Sequence, residues 1–484
     1  MKLLTFRLED HDANFSYYDG KNVRYFSTER YFGEKHHGFD SRTLTVETLN
    51  SILLKTFDIT VEGVDYIGVI TDNYSFGKNL IVKANNYFNK PTYFIDHHLA
   101  HAFSAWPHST HVRNALVFDG QGNDHKTHSL FLNGKLKDTF HRYDHGSIAE
   151  RMRSVGRSLN FKGAWKQEGH GDLDLAGKVM GYQSYGTIIP WLYEHLNNFT
   201  LKDAWEVWTF PFKADIKYID WLRTVHEWTG DSLVKYFSQF EGSRSFSGGT
   251  AQSSSFNGKL YKKFDMQFSP TVADSGLSLG ALEILRLKFD LEPFSTDGFP
   301  FWQHCDESPE LTDKTQIKRI AELLAKGKIV GIYQGKGEVG PRALGNRSIL
   351  MDPTIKDGKD IINNKVKHRE SFRPFGGACL LEDAETYFDA PKETPFMNVN
   401  VDVKTKDFPS ITHVDNSTRL QTVKSGVFSE ILTEFKKLTG HGVLLNTSLN
   451  IAGKPIASKA EHAKHIFNTT DLDAIFCGNE AQLK

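Results

Sequence analysis

Residues 331–348 read GIYQGKGEVGPRALGNRS, and this stretch constrains the fold more than any other part of the chain. The apolar run 329–333 reads as a buried strand, and the five glycines that begin within it turn it into a tight loop. Backbone N–H groups of such a loop can approach an anion closely, while Arg342 and Arg347 offer forked donors suited to phosphate or carboxylate. Lys365, Lys367, His368, Arg369 and Arg373 follow as a second basic cluster. Cations converging on one part of the chain point to an oxyanion substrate.

The chain as a whole is not basic. Its 58 basic and 59 acidic residues nearly cancel, which argues against a protein that wraps a polyanion and leaves a local basic cleft as the alternative. Cys305, Cys379 and Cys477 are too few and too scattered for a disulfide framework or a CxxC zinc site, so reduced thiols of a cytoplasmic enzyme are expected. No apolar run is long enough to span a bilayer, and the first residues lack a signal-peptide core. At 484 residues and 39% hydrophobic content the chain should form two to four packed domains.

Several features place the halves. A hairpin is expected from 3–8 and 23–27 around Asp19-Gly20-Lys21-Asn22. Further strand-like runs at 66–70, 92–95 and 115–118 end near Asp72, Asp96 and Asp119, where open α/β sheets usually hold ligands. Helical patterns occupy 98–106, 148–159 and 275–291. The turn-rich segment 292–300 breaks the last of these, and a fresh unit starts near Leu311 with the amphipathic stretch 314–326. The natural division is 1–305 and 306–484, with no short-period repeat.

His97 and His101 are four apart, so a helix would put both imidazoles on one face within reach of one cation. Two imidazoles with carboxylates from strand ends suit Fe, Zn or Mn. The 21 histidines of the chain make such a site worth seeking.

The wording of four segments goes further. EVGPRALGNRSILMDP at 338–353, KHRESFRPF at 367–375, HVDNSTRLQTV at 413–423 and LLNTSLN at 444–450 resemble, in order, the C-terminal signatures of the O-carbamoyltransferases that modify nodulation factors and antibiotics. The resemblance runs from about residue 3 to about residue 478. It implies an α/β chain: an actin-like (ASKHA, Kae1-like) domain at 1–305, of the kind shared with tRNA threonylcarbamoyladenosine synthases, then a YrdC-like carbamoyl-phosphate-handling domain at 306–484.

The same resemblance implies a divalent metal, iron(II) foremost with manganese or zinc as alternatives, on His97, His101, Asp119 and Asp274. It implies nucleotide contacts from Gly120, Gln121, Gly122, Asn123, Lys178, Gly248, Gly249 and Asn257, with magnesium accompanying ATP. Carbamoyl phosphate would meet Arg342, Arg347, Lys367, Arg369, Ser448 and Asn450, and His11, Asp12, Arg342 and Lys367 would serve catalysis. Ser448 and Asn450 are suited to hydrogen-bond a planar carbamoyl or phosphate group, where otherwise they would cap a turn.

The implied reaction makes carbamoyl adenylate from carbamoyl phosphate and ATP, then transfers the carbamoyl group to a hydroxyl. An actin-like sugar kinase or nucleotide-regulated binding protein is the alternative, and it leaves GPRALGNRS and NTSLN without a role. The family's HDASA element reads His11-Asp12-Ala13-Asn14-Phe15 here, and its ERxxRxKH element has Gly33 at the second arginine. Both lie where the acceptor would be recognised, so a small molecule, a glycan and a hydroxymethylated nucleotide or DNA base all stay open. Nothing in the sequence sets the oligomeric state.

Overall fold

Five consecutive buried residues, Leu3–Arg7, form β1 at the centre of the first sheet. The computed structural model describes residues 1–7, 11–39, 44–84, 87–108, 114–161, 172–211, 215–306 and 308–484. They divide into two compact units, Met1–His304 and Cys305–Lys484. Among the described residues no helix is long and apolar enough to cross a membrane.

The turn at 19–22 forms because Asp19 Oδ1 accepts from the amides of Lys21 and Asn22, at 2.8 Å each, and Gly20 adopts φ +103°. It joins β2 (Asn14–Tyr18) to β3 (Val23–Ser27), so the expected direct pairing of 3–8 with 23–27 is corrected to a three-stranded meander. The alternation of β2 hid it: Asn14 and Ser16 look solvent-facing but are buried, bonded to the Asp274 carbonyl, the Ser278 amide and the Ser278 hydroxyl. Two parallel strands, β4 (Tyr66–Ile70) and β6 (Thr92–Ile95), extend the sheet beyond β1, with β5 (Ile81–Ala84) antiparallel at its edge.

The second sheet repeats this plan. Its meander is β7 (Asn114–Phe118), β8 (Lys126–Leu132) and β9 (Lys135–His141), and β10 (Arg244–Ser247) and β11 (Met266–Gln267) continue parallel from β7. A duplicated module of this topology is the actin-like arrangement expected of the first half. Helix His97–Phe103 crosses helix Leu277–Lys288 at Gly280, where a Cβ would lie 1.9 Å from the Ala100 carbonyl oxygen. Only glycine permits that approach, and it brings the segment before the second helix against the first.

The second unit is one eight-stranded mixed sheet, ordered β15-β16-β14-β17-β13-β12-β18-β19. Its strands are β12 (Val330–Tyr333), β13 (Arg347–Met351), β14 (Gly376–Leu380), β15 (Val399–Asp402), β16 (Ser417–Val423), β17 (Val443–Ser448), β18 (Ala474–Cys477) and β19 (Glu480–Leu483). Helices Lys314–Ala325 and Val427–Thr439 cover one face, their buried Ile317, Ile320, Leu324, Ile431, Leu432 and Phe435 forming the core with Ile332, Leu350 and Leu444. Because β12 and β13 pair antiparallel, the glycine-rich stretch is the loop of a hairpin. Ser348 of β13 pairs with Ser448 of β17, which sets NTSLN beside that loop.

Candidate functional site

Helix His97–Phe103 starts where Asp96 Oδ1 accepts from the Leu99 amide at 2.9 Å, a side-chain N-cap. The other oxygen of Asp96 pairs with buried Lys126 at 2.8 Å, which anchors the cap to β8. His97 and His101 then share one helix face. Asp119 arrives at the end of β7, and Asp274 sits in the single turn that precedes helix Leu277–Lys288.

One ligand atom from each of His97, His101, Asp119 and Asp274 lies within 4.8 Å of all the others, and all four residues are buried. His97 Nε2 is 3.2 Å from Asp119 Oδ2 and 3.6 Å from Asp274 Oδ1, and His101 Nε2 is 3.2 Å from Asp274 Oδ1. A tetrahedral shell with bonds of ~2.1 Å spaces its ligands by roughly 3.4 Å, so the four residues fit a divalent ion. Charge agrees. With both imidazoles neutral, as metal ligands must be, Asp119, Asp274 and neighbouring Asp72 carry three negative charges against one on Arg7, and a dication balances the remainder.

Two residues beyond the predicted ligands order this site. Asp72 Oδ1 faces His97 Nδ1 at 2.6 Å, and buried Arg7 NH2 bridges Asp72 and Asp274 at 3.0 and 3.1 Å. Against the effect of burial, Arg7 and then His97 hold the Asp274 carboxyl well below the usual carboxylate range. Burial and Asp274 oppose ionisation of Asp119, but the bond from His97 and the charges of His101 and His97 bring it down to about 2. Both ligands are therefore carboxylates ready for a cation. Asp72 fixes the tautomer and orientation of His97, so Asp72→Asn is expected to lower divalent-ion affinity by roughly 10- to 100-fold, as titration of the metal-stripped protein would read.

His11 and Asp12 adjoin the cluster. His11 Nδ1 lies 3.0 Å from Asp12 Oδ2 and 3.8 Å from Asp274 Oδ2, and its carbonyl accepts from Arg7 NH1. With Nδ1 turned to a carboxylate, neutral His11 keeps Nε2 as its basic nitrogen. His36 Nδ1 meets the other Asp12 oxygen at 2.9 Å, while Asp174 pairs with Lys35 and lies 3.6 Å from His36 Nε2. Although burial opposes the charge, Asp12 raises His36 to about 10, so an imidazolium sits beside an ionised Asp12. Asp12 and His36 both adopt left-handed backbone, at φ +53° and +56°.

The expected nucleotide residues separate into two groups. Gly249 N donates to Asp119 Oδ1 at 2.7 Å, and at Gly248, φ +89°, a Cβ would lie 2.3 Å from the Phe118 carbonyl oxygen. The glycine pair therefore packs on the end of β7, and helices Leu175–Tyr182 and Ser254–Lys263, which carry Lys178 and Asn257, meet through Met180 and Ser254. Gln121 accepts from Arg142 at 2.8 Å, and at Gly120 a Cβ would meet open space.

Gly122 and Asn123 differ. Asn123 is fully buried, its Oδ1 accepting from the His97 amide and its Nδ2 donating to the Thr71 and Tyr74 carbonyls at 2.6 and 2.8 Å. Its side chain is thus a clamp that fixes the start of the helix carrying His97 and His101. The Gly122 amide bonds the Lys126 carbonyl, and its Cα packs on His98, which a Cβ would strike at 2.6 Å.

In the second unit, Lys367 ends a single turn of π-helix, Asn363–Lys367. Its Nζ is lodged among the Ser448 carbonyl, Ser448 Oγ at 3.3 Å, the Asn450 carbonyl at 3.1 Å and Asn450 Oδ1 at 2.7 Å. Arg369 anchors on Asn363 Oδ1 at 3.0 Å and stacks on Phe375 at 4.2 Å. Burial, then Arg369 and Arg373, push the Lys367 ammonium well below the usual lysine range. Burial, then Arg342, Arg369 and Arg373, do the same to Arg419 of β16. Arg419 escaped sequence reasoning, although an arginine in an otherwise uncharged strand was a legible signal.

Arg347 is placed elsewhere. It is fully buried, and NH1 and NH2 donate to the carbonyls of Gln334, Asn346 and Gly335 and to Cys305 Sγ while the guanidinium lies 3.7 Å over the Tyr333 ring. In this structure its guanidinium braces the hairpin loop from within.

Comparison with known proteins accords with this second unit. Residues 321–484 match the family described as the carbamoyltransferase C-terminus. Nodulation protein NolNO of Sinorhizobium fredii is 32% identical over 444 residues, covering 80% of this chain and 63% of that protein. An uncharacterized protein of Methanocaldococcus jannaschii is 29% identical over 466 residues, covering 82% and 75%. The chain also superposes on component A of the Acidaminococcus fermentans (R)-2-hydroxyglutaryl-CoA dehydratase with a TM-score of 0.36 at 14% identity, over 58% of this chain and 96% of that one. The chain is therefore similar to this nodulation protein over most of its length, and its second unit matches a carbamoyltransferase C-terminus. It spans just under two thirds of the length of NolNO.

Proposed function

We propose that the protein is an ATP-dependent O-carbamoyltransferase that works through carbamoyl adenylate. One observation carries this reading: Arg342, Lys367, Arg369, Arg373 and Arg419 act on one another in the carbamoyltransferase C-terminal domain, with Ser448 and Asn450 packed on Lys367. Mutually repelling cations, Lys367 buried and the arginines half-buried, are stabilised when a multiply charged anion enters. Carbamoyl phosphate is such an anion, and it decomposes in water, so a cleft that excludes solvent also protects it.

In the first step carbamoyl phosphate, ATP and water yield carbamoyl adenylate, phosphate and pyrophosphate in the second unit, which acts as a YrdC-like domain. Lys367, Arg342 and Arg369 neutralise phosphate oxygens, and Ser448 and Asn450 hold the planar carbamoyl group. In the second step an acceptor hydroxyl attacks the carbamoyl carbon in the first unit, giving a carbamate ester and AMP. His11 takes the hydroxyl proton on Nε2 while Asp12 orients the ring. A divalent ion held by His97, His101, Asp119 and Asp274 would supply Lewis-acid polarisation of a bound oxygen there. Its donor set accepts iron(II), manganese and zinc alike.

Labelled ATP is expected to yield pyrophosphate only when carbamoyl phosphate is present, and AMP when a hydroxylated acceptor is added. ADP as the stoichiometric product would sink the adenylate route and favour a kinase. The acceptor is a hydroxylated small molecule, glycan or nucleobase, which a mass-spectrometric screen for the added carbamoyl group would identify.

A further inference from the structure

The glycine-rich loop carries its own anion. Glu338 is fully buried, and its Oε1 accepts from three backbone amides across the loop: Leu344 at 2.8 Å, Asn346 at 3.0 Å and Arg347 at 3.1 Å. The N–H groups expected to cradle a ligand are thus taken by a side chain of the same loop. Arg347 does the converse, donating to the carbonyls of Gln334, Gly335 and Asn346. Asn346 Nδ2 adds a bond to the Lys336 carbonyl at 2.8 Å, and Gln334 bonds Asn346 Oδ1. Gly345, at φ +119°, leaves no room for a Cβ, which would lie 2.5 Å from Phe428 Cδ1.

Both legs of the loop are therefore locked, the amides by a buried anion and the carbonyls by a buried cation. Arg342 lies in sequence between these two locks, half-buried, and its charge acts on Arg369 and Arg419. Among the described residues Glu338 Oε2 is buried with no hydrogen-bond partner, so the three amides on Oε1 carry the carboxylate's pairing. A buried carboxylate left so one-sided is costly unless its bonds fix something that matters.

We infer that Glu338 is a positioning residue: its carboxylate holds the loop closed so that the Arg342 fork is aimed at the oxyanion before the ligand arrives. This rests on the reading that the second unit binds carbamoyl phosphate. A preorganised fork loses less freedom on binding than one delivered by a mobile loop. Glycines 335, 340 and 345, all at positive φ, serve this closure by permitting the backbone path.

The test is calorimetric titration of the full chain with carbamoyl phosphate in a double-mutant cycle of Glu338→Ala and Arg342→Ala. Glu338→Ala is expected to weaken binding about tenfold when Arg342 is present, the scale of one charged hydrogen bond, and to add nothing when it is absent. Glu338→Gln keeps an acceptor oxygen without the charge, is expected to lose about threefold, and completes the cycle if the alanine variant does not fold. Equal loss in both Arg342 backgrounds, or no loss, would overturn the inference alone. A wild-type chain that binds no carbamoyl phosphate would overturn the functional reading and this inference with it.

Discussion

Protein carrying both His97→Ala and His101→Ala is expected to emerge from purification without its divalent ion and to transfer no carbamoyl group, while still releasing pyrophosphate from ATP and carbamoyl phosphate. The two imidazoles are half of the donor set and meet both carboxylate ligands at 3.2 Å. Loss of a partner outside the ligand set already lowers metal affinity by roughly 10- to 100-fold, so loss of two ligands should exceed about 100-fold. Alanine also removes the imidazoles that favour ionisation of Asp119, while Arg7 still pairs with Asp274. Elemental analysis beside pyrophosphate release checks the division of labour. Unchanged metal content would refute the ligand assignment, and loss of both reactions would show that the first step also needs this cluster.

Short-range geometry made His97, His101 and Asp119 of this centre legible, while Asp274, in the turn before a helix, was reached through the family resemblance. A four-residue spacing puts two imidazoles on one helix face whatever the remaining chain does, and strand-end carboxylates are common ligand positions in α/β sheets. Asp72 was visible for the same reason, as a strand-end carboxylate, but its role depends on a bond to His97 Nδ1 that spacing cannot reveal. Arg7 was hidden altogether, since a charge at the end of an apolar strand reads as surface until Asp72 and Asp274 are brought to it.

Two of the expected ligand contacts face a competing demand. Asn123 and Arg347 lie in loops that resemble ligand loops, and their side chains carry the right donors. Whether such donors meet a ligand or the protein depends on how many buried backbone groups nearby need partners, which the tertiary structure alone decides. Asn123 answers two carbonyls and an amide, and Arg347 answers three carbonyls. The duplication of the first unit was likewise invisible, because a sheet topology is preserved by strand order and pairing rather than by repeated residues. Strand β2 failed for a related reason: an alternating pattern predicts one wet face, and here hydrogen bonds to Asp274 and Ser278 make a dry one.

Lys367→Met is expected to reduce pyrophosphate release by about 100-fold or more while leaving the metal in place. Methionine keeps most of the lysine stem, so the change removes the ammonium rather than the packing. Lost with it are donors to the Ser448 and Asn450 carbonyls, to Ser448 Oγ and to Asn450 Oδ1, and a cation for the phosphate. Hydrogen bonds to a charged group contribute roughly 1.5–3 kcal/mol, which spans one to two decades of rate, and unsatisfied buried oxygens add to the loss. The charge leaves a second signature. Burial, then Arg369 and Arg373, lower the Lys367 pKa in the free protein, so the unfolded chain binds more protons from that lowered value up to an ordinary lysine pKa of about 10.4, and stability rises with pH across this window. A bound dianion offsets the two arginines and raises the pKa again, so carbamoyl phosphate should draw a proton from solution as it binds in the lower part of that window. Calorimetry in two buffers of different ionisation heat reads this as a buffer-dependent enthalpy in the wild type that is absent from Lys367→Met. Proton release on binding, or an unchanged dependence in the variant, would remove Lys367 from the anion site.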